Sequence, residues 1–165
     1  MFLFYVCIAN KNTMYQTLTF YHSTVRWLVL ASLIYAIYRA FKGYNSKYVF
    51  TKTDNAVRHW TATISHIQLV IGITLYSQSP IIKYFWINFK EAVHNVDIAF
   101  FGLIHIILML TAIICITIGS ALAKRKQRDN DKFKTMLVWF SISLLIIFIA
   151  IPWPFSPLAN RPYFR

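Results

Sequence analysis

The stretch "YHSTVRWLVLASLIYAIY" (Tyr21–Tyr38) decides the fold. From Trp27 to Tyr38 it carries no charged side chain. An apolar run of ~20 residues crosses the hydrocarbon core of a bilayer as a helix, because only a helix satisfies its own backbone there. The run therefore reads as a membrane span, from about residue 18 to about residue 41. At its start stand His22 and Arg26, one helical turn apart. An ionisable side chain in a span needs a partner or a route back to the headgroups. Two readings of the pair stay open. Arg26 snorkels outward with His22 among the headgroups, or the face of His22, Arg26, Val29 and Leu33 turns inward and meets an anion.

Outward from this stretch, three further apolar runs resemble it. They lie at about 56–79, 97–122 and 135–151. The expected fold is an all-α integral membrane protein, a four-transmembrane-helix bundle over residues 14–165. The preceding "MFLFYVCIANKNT" (1–13) is too short and too weakly organised for a clear signal peptide and reads as an N-terminal extension, with Met14 as a candidate start.

Composition agrees. Of 165 residues, 58% are hydrophobic and 13% charged, against about 25% charged in a soluble domain. Such a chain cannot dress a water-facing surface. The net charge of +12 is clustered rather than spread. The first connection carries Arg39, Lys42, Lys47, Lys52 and Arg58. The third carries Lys124, Arg125, Lys126, Arg128, Lys132 and Lys134, and the second only Lys83 and Lys90. Basic residues at span ends favour the cytoplasmic side. Both termini and the second connection are then expected outside. Anionic lipid headgroups account for the basic ends better than nucleic acid does. The five acidic residues, Asp54, Glu91, Asp97, Asp129 and Asp131, lie near or beyond the membrane edges. Paired-carboxylate catalysis and a proton-carrying transporter are thereby disfavoured. Cys7 and Cys115 form no haem-attachment or zinc pattern.

Histidines inside the spans are the remaining chemistry. His22, His66 and His105 qualify. On the second span, Thr61, Ser65, Gln68, Gly72 and Tyr76 form one small and polar stripe, the usual mark of helix packing. His59 and His66 share a different face. Gly102 lies beside His105, which suits a flat ligand edge or plain packing. At ~1.5 Å per residue, His22 lies roughly 6–8 Å below the outer surface, His105 roughly 12 Å and His66 roughly 20 Å. His105 could pair with His22 or with His66, while His22 and His66 are too far apart. Two facing imidazoles can ligate the iron of haem b. The C-terminal "IPWPFSPLANRPYFR" stops the fourth helix with prolines, sets Trp153, Phe155 and Tyr163 at the outer interface and brings Arg161 to the level of His22. Arg26 and Arg161 could then meet haem propionates or a quinone oxygen.

Four motifs, "YHSTVRWLVL", "SHIQLVIGITLYSQSP", "IGSALAKRKQRDNDKFK" and "IPWPF…RPYF", together resemble a family of small four-span membrane proteins of the Bacteroidetes, commonly called cytochrome b-like. The resemblance runs from about Met14 to the C-terminus. It implies a redox role in the respiratory membrane, with His105 as a haem ligand opposite His22 or His66. Where the family has Glu-His, this chain has Ile104-His105, so a borrowed proton-transfer role loses its acid. The alternative expectation is an accessory subunit of a larger membrane complex with no cofactor of its own.

Overall fold

The computed structural model describes residues 2–159 and 161–163, with side chains from residue 13 onward. The described chain is all helical. Four long helices, α1 (Phe2–Asn45), α2 (Lys52–Gln78), α6 (His105–Arg125) and α7 (Asp129–Ala150), make the bundle. Three short ones, α3 (Pro80–Ile87), α4 (Phe89–Ala92) and α5 (Val96–Ala99), fill the second connection, and a π-helical segment (Phe100–Ile104) leads into α6. Three stretches are long and apolar enough to cross a membrane: Thr13–Asn45, Val96–Arg125 and Asp129–Ala150. The chain is thus a multi-pass membrane protein by helix length and composition. α2, at 27 residues, is long enough but more polar, because Thr, Ser, His and Gln interrupt its middle.

The helices close a ring. α1 packs on α2 and α7, and α6 packs on α7 and α2, so α1 and α6 face each other across the bundle axis. The core between them holds Leu33, Ala36, Ala112, Ile116, Met136 and Phe140, all fully buried. Large apolar side chains such as Leu28, Val70 and Leu145 point outward, as expected when the solvent is lipid. Small residues set the closest approaches. A Cβ on Gly119 would lie 2.3 Å from the Trp139 Cβ, and one on Gly43 would lie 2.4 Å from the Phe133 ring.

α1 ends in a Schellman turn. Lys47 takes a left-handed conformation at φ 51°, and the Tyr48 N–H reaches back to the Gly43 carbonyl at 3.1 Å, satisfying a carbonyl the helix end would orphan. Thr51 and Asp54 then form a capping box that starts α2. Arg39 of α1 binds Asp54 through Nε at 2.8 Å and Nη2 at 2.7 Å. Arg58 donates to Ser120 on α6 and to Asn55. These contacts lock α1, α2 and α6 together at this end of the bundle.

Asp54 is only 3% exposed. Burial alone raises its pKa, but hydrogen bonds from the Thr51 hydroxyl and N–H and from Arg39 outweigh it and hold the carboxyl below its ordinary range. A depressed folded pKa stabilises above the ordinary value, and that stabilisation disappears as pH falls through the folded value. Asp54→Asn is therefore expected to cost about 1–3 kcal/mol near neutral pH. The cost should vanish in acid, where the wild-type carboxyl is itself protonated. Thermal melts in detergent across pH check this.

Pro80 opens α3 as its first helical residue, where its missing N–H costs nothing. Asn95 caps α5 by accepting from the Ile98 N–H at 3.2 Å.

Candidate functional site

The centre of the site is a pair of imidazoles across the bundle. His22 of α1 and His105 at the start of α6 lie with ring centroids 6.4 Å apart and planes at 69°. Each is half-buried. They line a largely apolar cavity of about 210 Å³, together with Arg26, Gln68, Gly72 and Met109.

Local structure aims each ring. His22 sits in the regular turn of α1, and Gly72 on α2 makes room for it. A Cβ there would stand 3.2 Å from the His22 Cε1. His105 is placed by the π segment, whose wide turn closes with the His105 N–H bonded to the Phe100 carbonyl. Such single π turns are frequent at functional sites. The segment is clamped twice. The Phe85 ring packs against Gly102 so closely that a Cβ would lie 2.4 Å away. The Tyr76 hydroxyl donates to the Gly102 carbonyl at 2.8 Å and accepts from the Trp86 Nε1–H at 3.0 Å.

Hydrogen bonds assign the protons. His105 Nδ1 lies 2.8 Å from the Ala150 carbonyl, near the end of α7, where no later turn supplies a donor. A neutral His105 therefore carries its proton on Nδ1 and leaves the Nε2 lone pair free. At His22 the arrangement is opposite. The Gln68 side-chain nitrogen donates to the His22 carbonyl at 2.9 Å and lies 3.2 Å from His22 Nδ1. Since an amide nitrogen can only donate, Nδ1 accepts, and a neutral His22 carries its proton on Nε2. One ring thus offers a donor and the other an acceptor. Among the described residues, two buried polar atoms of the cavity lining have no partner: Arg26 Nε and Gln68 Oε1.

The C-terminal tail folds back over this end of the bundle. Its Tyr163 carbonyl accepts from an Arg26 Nη2–H and lies 3.5 Å from the Ser23 hydroxyl. Of the two readings of Arg26, the structure places it facing the bundle, tied to the tail. Arg161 lines the cavity, but its charge is met by Asp97 at 3.0 Å and its guanidinium lies 4.7 Å from the Phe101 ring centre.

His66 does not join the pair. Its Nε2–H donates to the Thr117 hydroxyl at 2.9 Å, at an exposed position between α2 and α6; Thr117's own proton goes to the Ile113 carbonyl. His59 lies against Trp60, and Cys115 is a free thiol; the Cys7 side chain falls outside the described residues. No group of three or more His, Cys, Asp or Glu is placed to hold a metal ion among the described residues. Gln68 and Gly72, read from the sequence only as packing stripe, turn out to orient His22.

The haem expectation can be tested against this geometry. Two imidazoles on one iron, with metal–nitrogen bonds of about 2 Å and roughly 1.1 Å from each nitrogen to its ring centre, need centroids about 6 Å apart. The ring spacing meets that requirement. The rest does not fit a porphyrin. His22 presents an N–H where iron needs a lone pair, and the cavity is smaller than the ~300 Å³ at which drug-sized ligand sites begin. A macrocycle would require Gln68 to turn and α1 to part from α6.

The sequence matches no family model, no curated protein and no solved structure.

Proposed function

We propose that this is a four-span subunit of a respiratory membrane, with both termini on the outer side, that binds the head group of a quinone between His22 and His105. Electrons would come from or go to a redox centre in a partner subunit, and the role of this chain is to hold the quinone. The observation that carries the reading is the pair of facing imidazoles with opposite proton placement at the polar end of an apolar cavity. One oxygen suits both rings. As a quinone carbonyl it accepts from His22 Nε2–H; as a quinol hydroxyl it also donates to the His105 Nε2 lone pair. Facing nitrogens would be about 4 Å apart at closest, within the roughly 5.6 Å that one oxygen making two ~2.8 Å bonds can span. Arg26 Nε–H and Gln68 Oε1, buried and unpartnered, supply a further donor and acceptor. The ring and tail would lie against Leu69, Met109 and Ile113.

α2 counts as the fourth span in this reading because polar side chains in its middle are met by protein: Thr61 and Ser65 are buried, Gln68 bonds His22 and the exposed His66 bonds Thr117.

The experiment is a titration of purified protein in lipid nanodiscs with a short-chain quinone, read by quenching of the Trp27 and Trp153 emission. Saturable quenching is expected. A linear response like that of empty nanodiscs overturns the proposal. Haem remains the second reading on the strength of the 6.4 Å ring spacing. A pyridine haemochrome band from the same preparation would favour it instead.

A further inference from the structure

We propose that the cavity is loaded sideways from the hydrocarbon layer, through a window between α2 and α6, and that its ligand therefore carries a long apolar tail which stays in the bilayer. This rests on the quinone reading and names the class of quinone.

Two polar clasps, one from α2 to α6 and one from α2 to the π segment that leads into α6, frame the window. At one end His66 binds Thr117 at 2.9 Å. At the other Tyr76 binds the Gly102 carbonyl at 2.8 Å. Along α2 the clasps stand about 15 Å apart, from ten residues at ~1.5 Å each. Between them, among the described residues, no side-chain hydrogen bond crosses from α2 to α6. The wall there is apolar and one side chain thick. Ile73 is 50% exposed and Leu110 is 37% exposed on the outer surface, yet both also line the cavity. Each therefore has one side toward the bilayer and the other toward the site.

The other sides carry helix packing or the tail. Gly72 fits against His22 on the α1 side. α7 packs on both α1 and α6 along the rest of the ring. On the outer side the tail lies across the mouth, held by Arg161 on Asp97 and by the Tyr163 carbonyl on Arg26. A water-borne ligand, including a short-tailed quinone, can enter by displacing this tail, whereas a lipid-borne one meets Ile73 and Leu110. A tail leaving between these two residues need not be buried, so the small cavity has only to hold the head.

The test uses the full chain in nanodiscs and two quinones with the same ring, one with a short alkyl tail and one with a long isoprenoid tail. Ile73→Trp and Leu110→Trp narrow the window. Both positions already reach lipid, so the larger ring can lie across the window without disturbing the core. Leu145→Trp, on the outer face of α7 at 63% exposed, is the control. The expected result is an association rate for the long-tailed quinone about tenfold or more lower in the two window variants, with the short-tailed quinone and the control changed less than about twofold. Ile73→Ala and Leu110→Ala, which open the window, should leave long-tail association as fast as wild type or faster. Equal slowing of both quinones, or no slowing of the long-tailed one, overturns the window. Failure of both quinones to bind the wild-type protein overturns the head-group reading, and the window falls with it.

Discussion

His105→Leu is expected to weaken quinone binding about 10–100-fold while the bundle still forms. The acceptor that a quinol hydroxyl needs is lost, and a ligand O–H left unpaired in a buried site costs about 1.4–2.8 kcal/mol, within the usual penalty for an unsatisfied polar group and equal to that range in affinity. The same change frees the Ala150 carbonyl at the end of α7, a smaller loss because a helix end near the membrane surface can find water. His66→Leu is the informative companion. His66 belongs to the same chemical class, but its ring bonds Thr117 and does not line the cavity. Its replacement should leave the affinity within about twofold. Equal losses in the two variants would show that the effect follows general destabilisation and not the site. Nanodisc titrations of both variants, beside their melting curves, make the comparison.

Gly102→Ala is the second large effect. The added methyl would sit 2.4 Å from the Phe85 ring, and Phe85 is fully buried, so it has nowhere to retreat. Overpacking of this kind costs about 1–3 kcal/mol, or a fall in melting temperature of roughly 2–12 °C for a chain of this size. The strain falls on the π segment, whose last turn leads directly into His105. Binding should therefore drop although every ligand-facing side chain is still present. Combining Gly102→Ala with Phe85→Leu should recover part of both losses, because the two changes share one contact and will not add. Strict additivity would show that Phe85 does not hold the segment in place.

How much of this was legible in the sequence differs by element. The apolar runs announced the long helices because lipid demands length and hydrophobicity together, and both are local properties. The level of each histidine also followed from counting, since a helix rises uniformly. That counting left His105 two partners. The choice depends on azimuth, and the π segment, which has no sequence signature beyond an unremarkable Gly102, sets the azimuth of His105. Arg26 was ambiguous for a different reason. Its acceptor is the backbone carbonyl of Tyr163, in a proline-rich tail without periodicity, so no pattern could link positions so distant in the chain. Arg161 was expected to face an anionic ligand; it faces Asp97, at the start of the third apolar run, and no pattern linked that position to the C-terminal tail. The proton placements on the two rings were not readable at all, because they depend on Gln68 and on the Ala150 carbonyl, each contributed by a different helix.

Photoaffinity labelling tests the central claim most directly. A quinone bearing a photoreactive group on its ring would be crosslinked to the full chain in nanodiscs, and the adducts mapped by mass spectrometry. Adducts on Gln68–Ile73 and on His105–Ile113, competed away by unlabelled quinone and absent in His105→Leu, are the expected result. Adducts spread over the lipid-facing side chains of α7, such as Leu145 and Phe148, and indifferent to competitor, would contradict a quinone site between His22 and His105.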